Sequence, residues 1–205
     1  MWNGNLPFDD IIVPKPIFPQ YPVTDHDYRI FVGAFPIVEL ADRIQTVRVQ
    51  HDAKTARITA PHVTIAGTYW RSGSATPENE ADAIQRLKMI EDRLAPFEMI
   101  AGGVESFLPQ TPVIYLHIEP TAGLLAARQV LLEALGSDNH RHFTPHLTLA
   151  MRLDQSATQS LLNQLRHSDW HTRRWPVRID QLWLMQRGPG DPAWRSIHRV
   201  EMRAA

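Results

Sequence analysis

The sequence predicts a mixed fold of strands and helices, built as two equivalent lobes that face each other across a cleft. Three observations carry this. The hexapeptide PHVTIA at 61–66 returns as PHLTLA at 145–150. The offset of 84 residues that relates His62 to His146 also relates Phe31 to Tyr115, Pro36 to Pro120, Leu40 to Leu124 and Gln45 to Gln129. Strand-like and helix-like patterns follow one another in the same order in both halves. A constant offset through strand, helix and motif marks a duplicated strand–helix–strand unit.

Residues 1–27 hold five prolines, among them the run VPKPIFPQYP. Proline fixes φ and lacks an N–H, so this segment is predicted as an extended arm that packs along the body. The domain follows over 28–205, with lobe one at roughly 28–111, lobe two at roughly 112–205, and strands open to exchange between them. In lobe one, YRIFVGAF predicts a strand ended by Pro36, VELADRIQTV a helix, and HVTIAGTYW a second strand. The polar loop RSGSATP precedes a helix over 79–95, where Ala83, Ile84, Leu87, Ile90 and Leu94 share a stripe. FEMIAGGVESFL closes the unit as one or two extended segments, with Gly102–Gly103 marking a bulge or turn. Lobe two repeats the order: strand VIYLHIEP, helix GLLAARQVLLEAL, motif strand HFTPHLTLAMRL, helix SATQSLLNQLRH and strand WPVRIDQLWLMQR. The turn GPGDP joins that strand to a last one, AWRSIHRVEMR. After the first motif the offset falls to 77, and the seven missing residues equal the length of RSGSATP.

The chain contains no cysteine, which excludes disulfides, thiolate catalysis and Cys-based zinc sites. No apolar run reaches the roughly 18 residues of a membrane-spanning helix. The first residues carry Asp9 and Asp10 where a secretory signal would be basic and then apolar, so a cytoplasmic protein is expected, taken as a monomer without membrane partners. With 21 basic against 22 acidic residues the totals show none of the basic surplus that binders of long nucleic acid need. Small substrates are favoured.

Side chains alternate along a strand, so His62, Thr64, Ala66 and Thr68 are expected on one face, with Val63 and Ile65 on the other. In the second copy His146, Thr148, Ala150 and Arg152 line up opposite Leu147 and Leu149. The aliphatic faces belong to a core. Two imidazoles and two hydroxyls then converge from opposite sides of the cleft, with Ala66 and Ala150 leaving room for a substrate. Imidazole titrates near pH 6.5, so one ring can be neutral and the other protonated at physiological pH. Such a pair takes a proton from an attacking oxygen and returns one to a leaving oxygen. Thr hydroxyls hold an anionic oxygen. The chemistry that fits is in-line displacement at a phosphodiester, with no metal, no cofactor and no covalent enzyme intermediate. Packing explains the aliphatic positions of the repeat but does not call for His and Thr in both copies.

These residues bring a family into view. HVTI at 62–65, HLTL at 146–149, the opening strand RIFVGAF and the C-terminal hairpin LWLMQRGPGDPAWRSIHRVEM resemble the 2H phosphoesterase superfamily, which is named for two His-x-Thr-x motifs. The similarity is to its branch of bacterial 2′-5′ RNA ligase and 2′,3′-cyclic phosphodiesterase proteins, and it runs from about residue 28 to the end. The resemblance implies an α+β, bilobal, pseudo-twofold fold in which two mainly antiparallel sheets form a central cleft with helices packed outside. It implies His62 and His146 as acid/base residues, and Thr64 and Thr148 as phosphate contacts. The substrate would be a nucleotide or RNA end with a 2′,3′-cyclic phosphate or a 2′-5′ linkage. Ligation, cleavage of 2′-5′ or cyclic oligonucleotides, and non-catalytic nucleotide binding are the competing readings.

Around the motifs, Arg152 is a further phosphate contact by strand parity. Phe143, Phe31, Tyr115 and Trp70 are candidates for stacking on a nucleobase. Arg141, Arg173 and Arg174 are candidates for touching an RNA backbone. His140, His142 and His146 invite a zinc reading, but Pro145 breaks any helix that would align them and no carboxylate is interleaved.

Overall fold

The structure is a computed structural model that describes residues 27–138, 140 and 142–203. The proline-rich arm, apart from Asp27, and Arg141 lie outside these residues. Among the described residues the chain runs β1 (Tyr28–Ala34), α1 (Val38–His51), α2 (Ala53–Ile58), β2 (Val63–Arg71), α3 (Ala81–Lys88), β3 (Phe97–Ser106) and β4 (Ile114–Glu119). It continues through α4 (Ala122–Leu135), β5 (His146–Ala150), α5 (Gln155–Arg166), α6 (Asp169–Thr172), β6 (Arg174–Ile179), β7 (Gln181–Arg187) and β8 (Arg195–Glu201).

The strands form two four-stranded sheets, ordered β2-β1-β7-β8 and β5-β4-β3-β6, and every pairing is antiparallel. This is the expected α+β class. The two halves of the sequence do exchange strands. β3, from the first half, sits beside β4, while β7 and β8, from the second half, complete the sheet of β1 and β2. Each motif strand is an edge strand of its own sheet, and β2 and β5 touch each other where the sheets meet.

The helices cross over in the same way. α1 packs against β5 and α4 packs against β2. Each connecting helix therefore covers the motif strand of the other sheet. Leu40 and Ile44 of α1, with Leu124 and Leu131 of α4, are fully buried, each worth about 1.5–3 kcal/mol of transfer free energy. The helix starts are capped by side chains: Thr121 accepts from the Leu124 N–H and Asp154 from the Ala157 N–H.

Two expectations change. The predicted helix over 79–95 is α3 alone, followed by a tighter turn in which Ile90, Arg93 and Leu94 bond three residues back. Ala83, Leu87, Ile90 and Leu94 all remain buried, because both windings satisfy that spacing. The single strand predicted over 175–187 is two strands, β6 and β7, in different sheets, and the chain passes between them at the exposed Asp180. No helix among the described residues is long and apolar enough to cross a membrane.

Candidate active site

Each motif strand carries one extra residue at the same place. Val63 and Thr64 pair with Ala34 and Gly33, but Val32 then pairs with Ala66, so Ile65 is unmatched. In β5, Thr148 pairs with Tyr115 and the next pair is Ile114 with Ala150, so Leu149 is unmatched. The bulge reverses side-chain parity beyond it. Ala66 and Ala150 consequently join the hydrophobic core, at 0% and 1% exposure. The expectation that they leave room beside the histidines is corrected. Matching the partners of Thr64 and Thr148 also aligns β1 with β4 at an offset of 82, not the 84 of the motifs.

The two imidazoles occupy matched settings. The Nδ1 of His62 lies 2.8 Å from the carbonyl of Ala60, and the Nδ1 of His146 lies 2.7 Å from the carbonyl of Thr144. A carbonyl only accepts, so each Nδ1 carries the hydrogen and each neutral ring presents a bare Nε2. Aromatic rings brace both. Phe31 stacks on His62 with centroids 4.5 Å apart, while Phe107 and Tyr115 each pack 5.1 Å from His146. Burial lowers the His62 pKa to about 4, and the charges of Arg48 and His146 push it the same way. Burial also lowers His146, with His140 adding to the effect. Both rings are therefore neutral at pH 7 in the free protein, where the sequence suggested one of each kind.

Two cavities meet at Thr64. One, of about 240 Å³, is lined by His146, Thr144, Phe107, Phe143, Arg128 and Gly67. The other, of about 220 Å³, is lined by His62, Thr148, Arg29, Arg152, Arg187 and Trp194. Among the described residues, no carboxylate lines either cavity. The surroundings suit an anion.

Two clamps, each an arginine and an aspartate, hold the backbone at the motif strands. From α1, Arg48 donates through Nε and Nη2 to the Thr148 carbonyl (3.0 and 2.6 Å) and through Nη1 to the Thr59 carbonyl (3.0 Å). Four residues on, Asp52 accepts from the Met151 N–H at 2.8 Å. From α4, Arg128 donates to the Ile65 carbonyl at 2.6 Å and pairs with Asp138, which accepts from the Gly67 N–H at 3.1 Å. Gly67 and Met151 are separated by the repeat offset of 84, so the two carboxylates cap equivalent backbone positions. Arg48 is 1% exposed, and burial lowers its pKa to about 10.

A family model described as the 2′-5′ RNA ligase superfamily matches residues 36–191. The chain belongs to that superfamily. Membership places it among enzymes of the phosphoesterase and 2′-5′ ligase type. A candidate phosphoesterase of Bacillus cytotoxicus is 27% identical over 160 residues, covering 77% of this chain and 90% of the relative. One from Oceanobacillus iheyensis is 26% identical over 155 residues, covering 75% and 88%. Among solved structures, a phosphoesterase superposes with a TM-score of 0.60 at 18% identity, covering 85% of this chain and 97% of its own. LigT of E. coli complexed with ATP gives 0.56 at 17%, covering 86% and 98%.

Within this superfamily fold, His62, Thr64, Thr148 and Arg152 come together around one cavity, and His146 lines the adjoining one. Phe143 lines the His146 cavity with the Arg128 guanidinium 4.1 Å from its ring centre. Phe31 and Tyr115 are 2% and 4% exposed. Their rings pack against the imidazoles, and Phe31 also lines the His62 cavity. Trp70 is 39% exposed, with the Arg29 guanidinium 5.2 Å from its ring centre, and lines neither cavity. Arg173 is paired with Glu39, and Arg174 donates to the carbonyls of its own turn. Sequence reasoning missed Arg29, Arg48, Arg128, Arg187, Asp52 and Asp138. Arg48 and Arg128 left a signal: each stands four residues after a buried Ile or Leu on an apolar stripe, where a charge needs a buried partner.

Proposed function

We propose that the chain is a phosphodiesterase that opens the 2′,3′-cyclic phosphate of nucleotides or RNA ends, with His62 as general base and His146 as general acid. The observation that carries this reading is the matched pair of imidazoles, each with Nδ1 tied to a carbonyl and Nε2 bare, beside a cavity rich in arginine. In this mechanism the His62 Nε2 takes a proton from water, and the water oxygen bonds to phosphorus. The bond to the 2′ or 3′ oxygen breaks opposite it, and that oxygen receives the proton of His146. The hydroxyls of Thr64 and Thr148, with Arg152, hold the equatorial oxygens as charge builds. The product is a phosphate monoester, and no metal or enzyme-bound intermediate takes part.

His62 is assigned as the base because burial, with the charges of Arg48 and His146, lowers its pKa to about 4. An anionic substrate raises both pKa values, and His146 is the ring that takes up the proton. Structures of E. coli LigT complexed with 3′-AMP and with phosphate support the reading, since 3′-AMP is one of the two monoesters that opening 2′,3′-cyclic AMP can leave. The test is an assay of cyclic nucleotides, 2′-5′ and 3′-5′ dinucleotides and cyclic dinucleotides in excess chelator. Hydrolysis of a 2′,3′-cyclic nucleotide supports the proposal. Activity on 2′-5′ linkages alone, or loss of all turnover to the chelator, overturns it.

A further inference from the structure

We propose that Arg29 and Arg187, with Trp194, form a subsite for a second phosphate, so that the preferred substrate is a 2′,3′-cyclic nucleotide carrying a phosphate ester on its 5′ oxygen. This deepens the reading above and rests on it for the identity of the cyclic end. The first support is an unfavourable pairing. Arg29 and Arg187 stand directly opposite each other on β1 and β7. Like charges at such a position destabilise a sheet. Arg152 comes close enough that its charge, like that of Arg187, bears on Arg29. All three line the same cavity, and among the described residues no acidic side chain lines it with them. A bound anion relieves that repulsion.

The second support is orientation. The Arg29 guanidinium lies 5.2 Å from the ring centre of Trp70 and 5.4 Å from that of Trp194. Trp194 in turn packs edge-on against Phe31, the ring that stacks on His62. Arg29 is thus fixed through aromatic contacts to the same framework that fixes the imidazole. The third support is distance along the sheet. Thr64 pairs with Gly33, and Arg29 lies four residues further along β1, roughly 13 Å of strand. A nucleotide is long enough to bridge that separation. Once the 2′ and 3′ oxygens are joined in the cyclic ester, the ribose hydroxyl left to carry a phosphate is at 5′.

The shared chemistry is a 5′ phosphate ester, which is a monoester in a mononucleotide and a diester at an RNA end. Kinetics separate the two sources: adenosine 2′,3′-cyclic phosphate, its 5′-phosphorylated form, and the dinucleotide ApA ending in a cyclic phosphate. The subsite predicts kcat/KM at least about tenfold higher for one or both 5′-esterified substrates, the scale of a charge-assisted contact. In Arg29→Gln and Arg187→Gln that ratio falls toward one. A binding arm is independent of turnover. Calorimetry of wild-type protein with adenosine 3′,5′-bisphosphate and with 3′-AMP compares ligands that differ only at 5′. Tighter binding of the bisphosphate by about tenfold, lost in the variants and weakened by salt, supports the subsite. Equal affinity for the two ligands overturns it, whether or not any cyclic phosphate is hydrolysed. Hydrolysis with no preference among the three substrates overturns the subsite and leaves the proposed function standing.

Discussion

The guanidinium of Arg48 donates two hydrogen bonds to the backbone carbonyl of Thr148, 100 residues away, and a third to Thr59 beside the other motif. One buried cation thereby joins β5 to the segment that leads into β2. Replacing it with Met leaves two carbonyl acceptors unpaired in the interior. A loss on the order of 3 kcal/mol is expected in urea unfolding, from about 1–3 kcal/mol per orphaned group. Removing its charge also lets His62 hold a proton more readily, so the acid limb of the kcat/KM profile moves to higher pH. Arg48→Lys keeps the charge without the fork. It should lose stability and leave that limb near its wild-type position.

The paired role of the imidazoles has a simple kinetic consequence. His62→Ala and His146→Ala should each lower kcat by at least about a hundredfold, the usual scale for losing a general acid or base. Because the two act in one proton relay, the double variant should be little slower than either single one. Full activity in either single variant removes the mechanism.

Stability should depend on pH through the same rings. His62 titrates at about 4 in the folded protein against an ordinary value of 6.5, and His146 is also lowered. Between those values the unfolded chain binds more protons, so stability is full above pH 6.5 and falls as the pH drops toward 4. His62→Gln removes one titrating group. Its Tm should fall less steeply than that of wild type across the window, as followed by circular dichroism.

Gly67 has φ +118, and a Cβ there would sit 2.8 Å from the Phe31 Cβ. Gly67→Ala should cost about 1–3 kcal/mol in strain. It should also lower kcat, since the displaced Phe31 ring is the one stacked on His62. A variant that loses stability while keeping wild-type kcat would show that the stack does not position the imidazole.

Asp138 closes the second clamp, with a side chain 2% exposed against Arg128. Asp138→Ala strands that guanidinium, and a loss of about 3–5 kcal/mol is expected on breaking such a buried pair. Thermal unfolding measures it, and a change smaller than about 1 kcal/mol would place the pair on the scale of exposed ion pairs.

The duplicated unit, the motif strands and the two His/Thr pairs were legible because each is a local pattern: a constant offset, an alternation, a turn signal. The parity of Ala66 was not, since one unmatched residue at Ile65 inverts the face, and a bulge appears only when the partner strand is laid alongside. The division of 175–187 into β6 and β7 was equally hidden. Both segments are β-prone, and only the separate docking of each onto β3 and β1 parts them.

By itself, then, the amino-acid order determined that two copies of one unit would each present a histidine and a threonine next to an aliphatic core strand. Tertiary structure alone decided which arginines serve them. Arg29 meets Arg187 across strands from opposite ends of the chain, and Arg48 reaches Thr148 from a helix that packs on the other sheet. The physical reason is range. Periodicity reports which face a residue occupies on its own element, whereas the partner of a buried charge is set by which elements come to lie against each other.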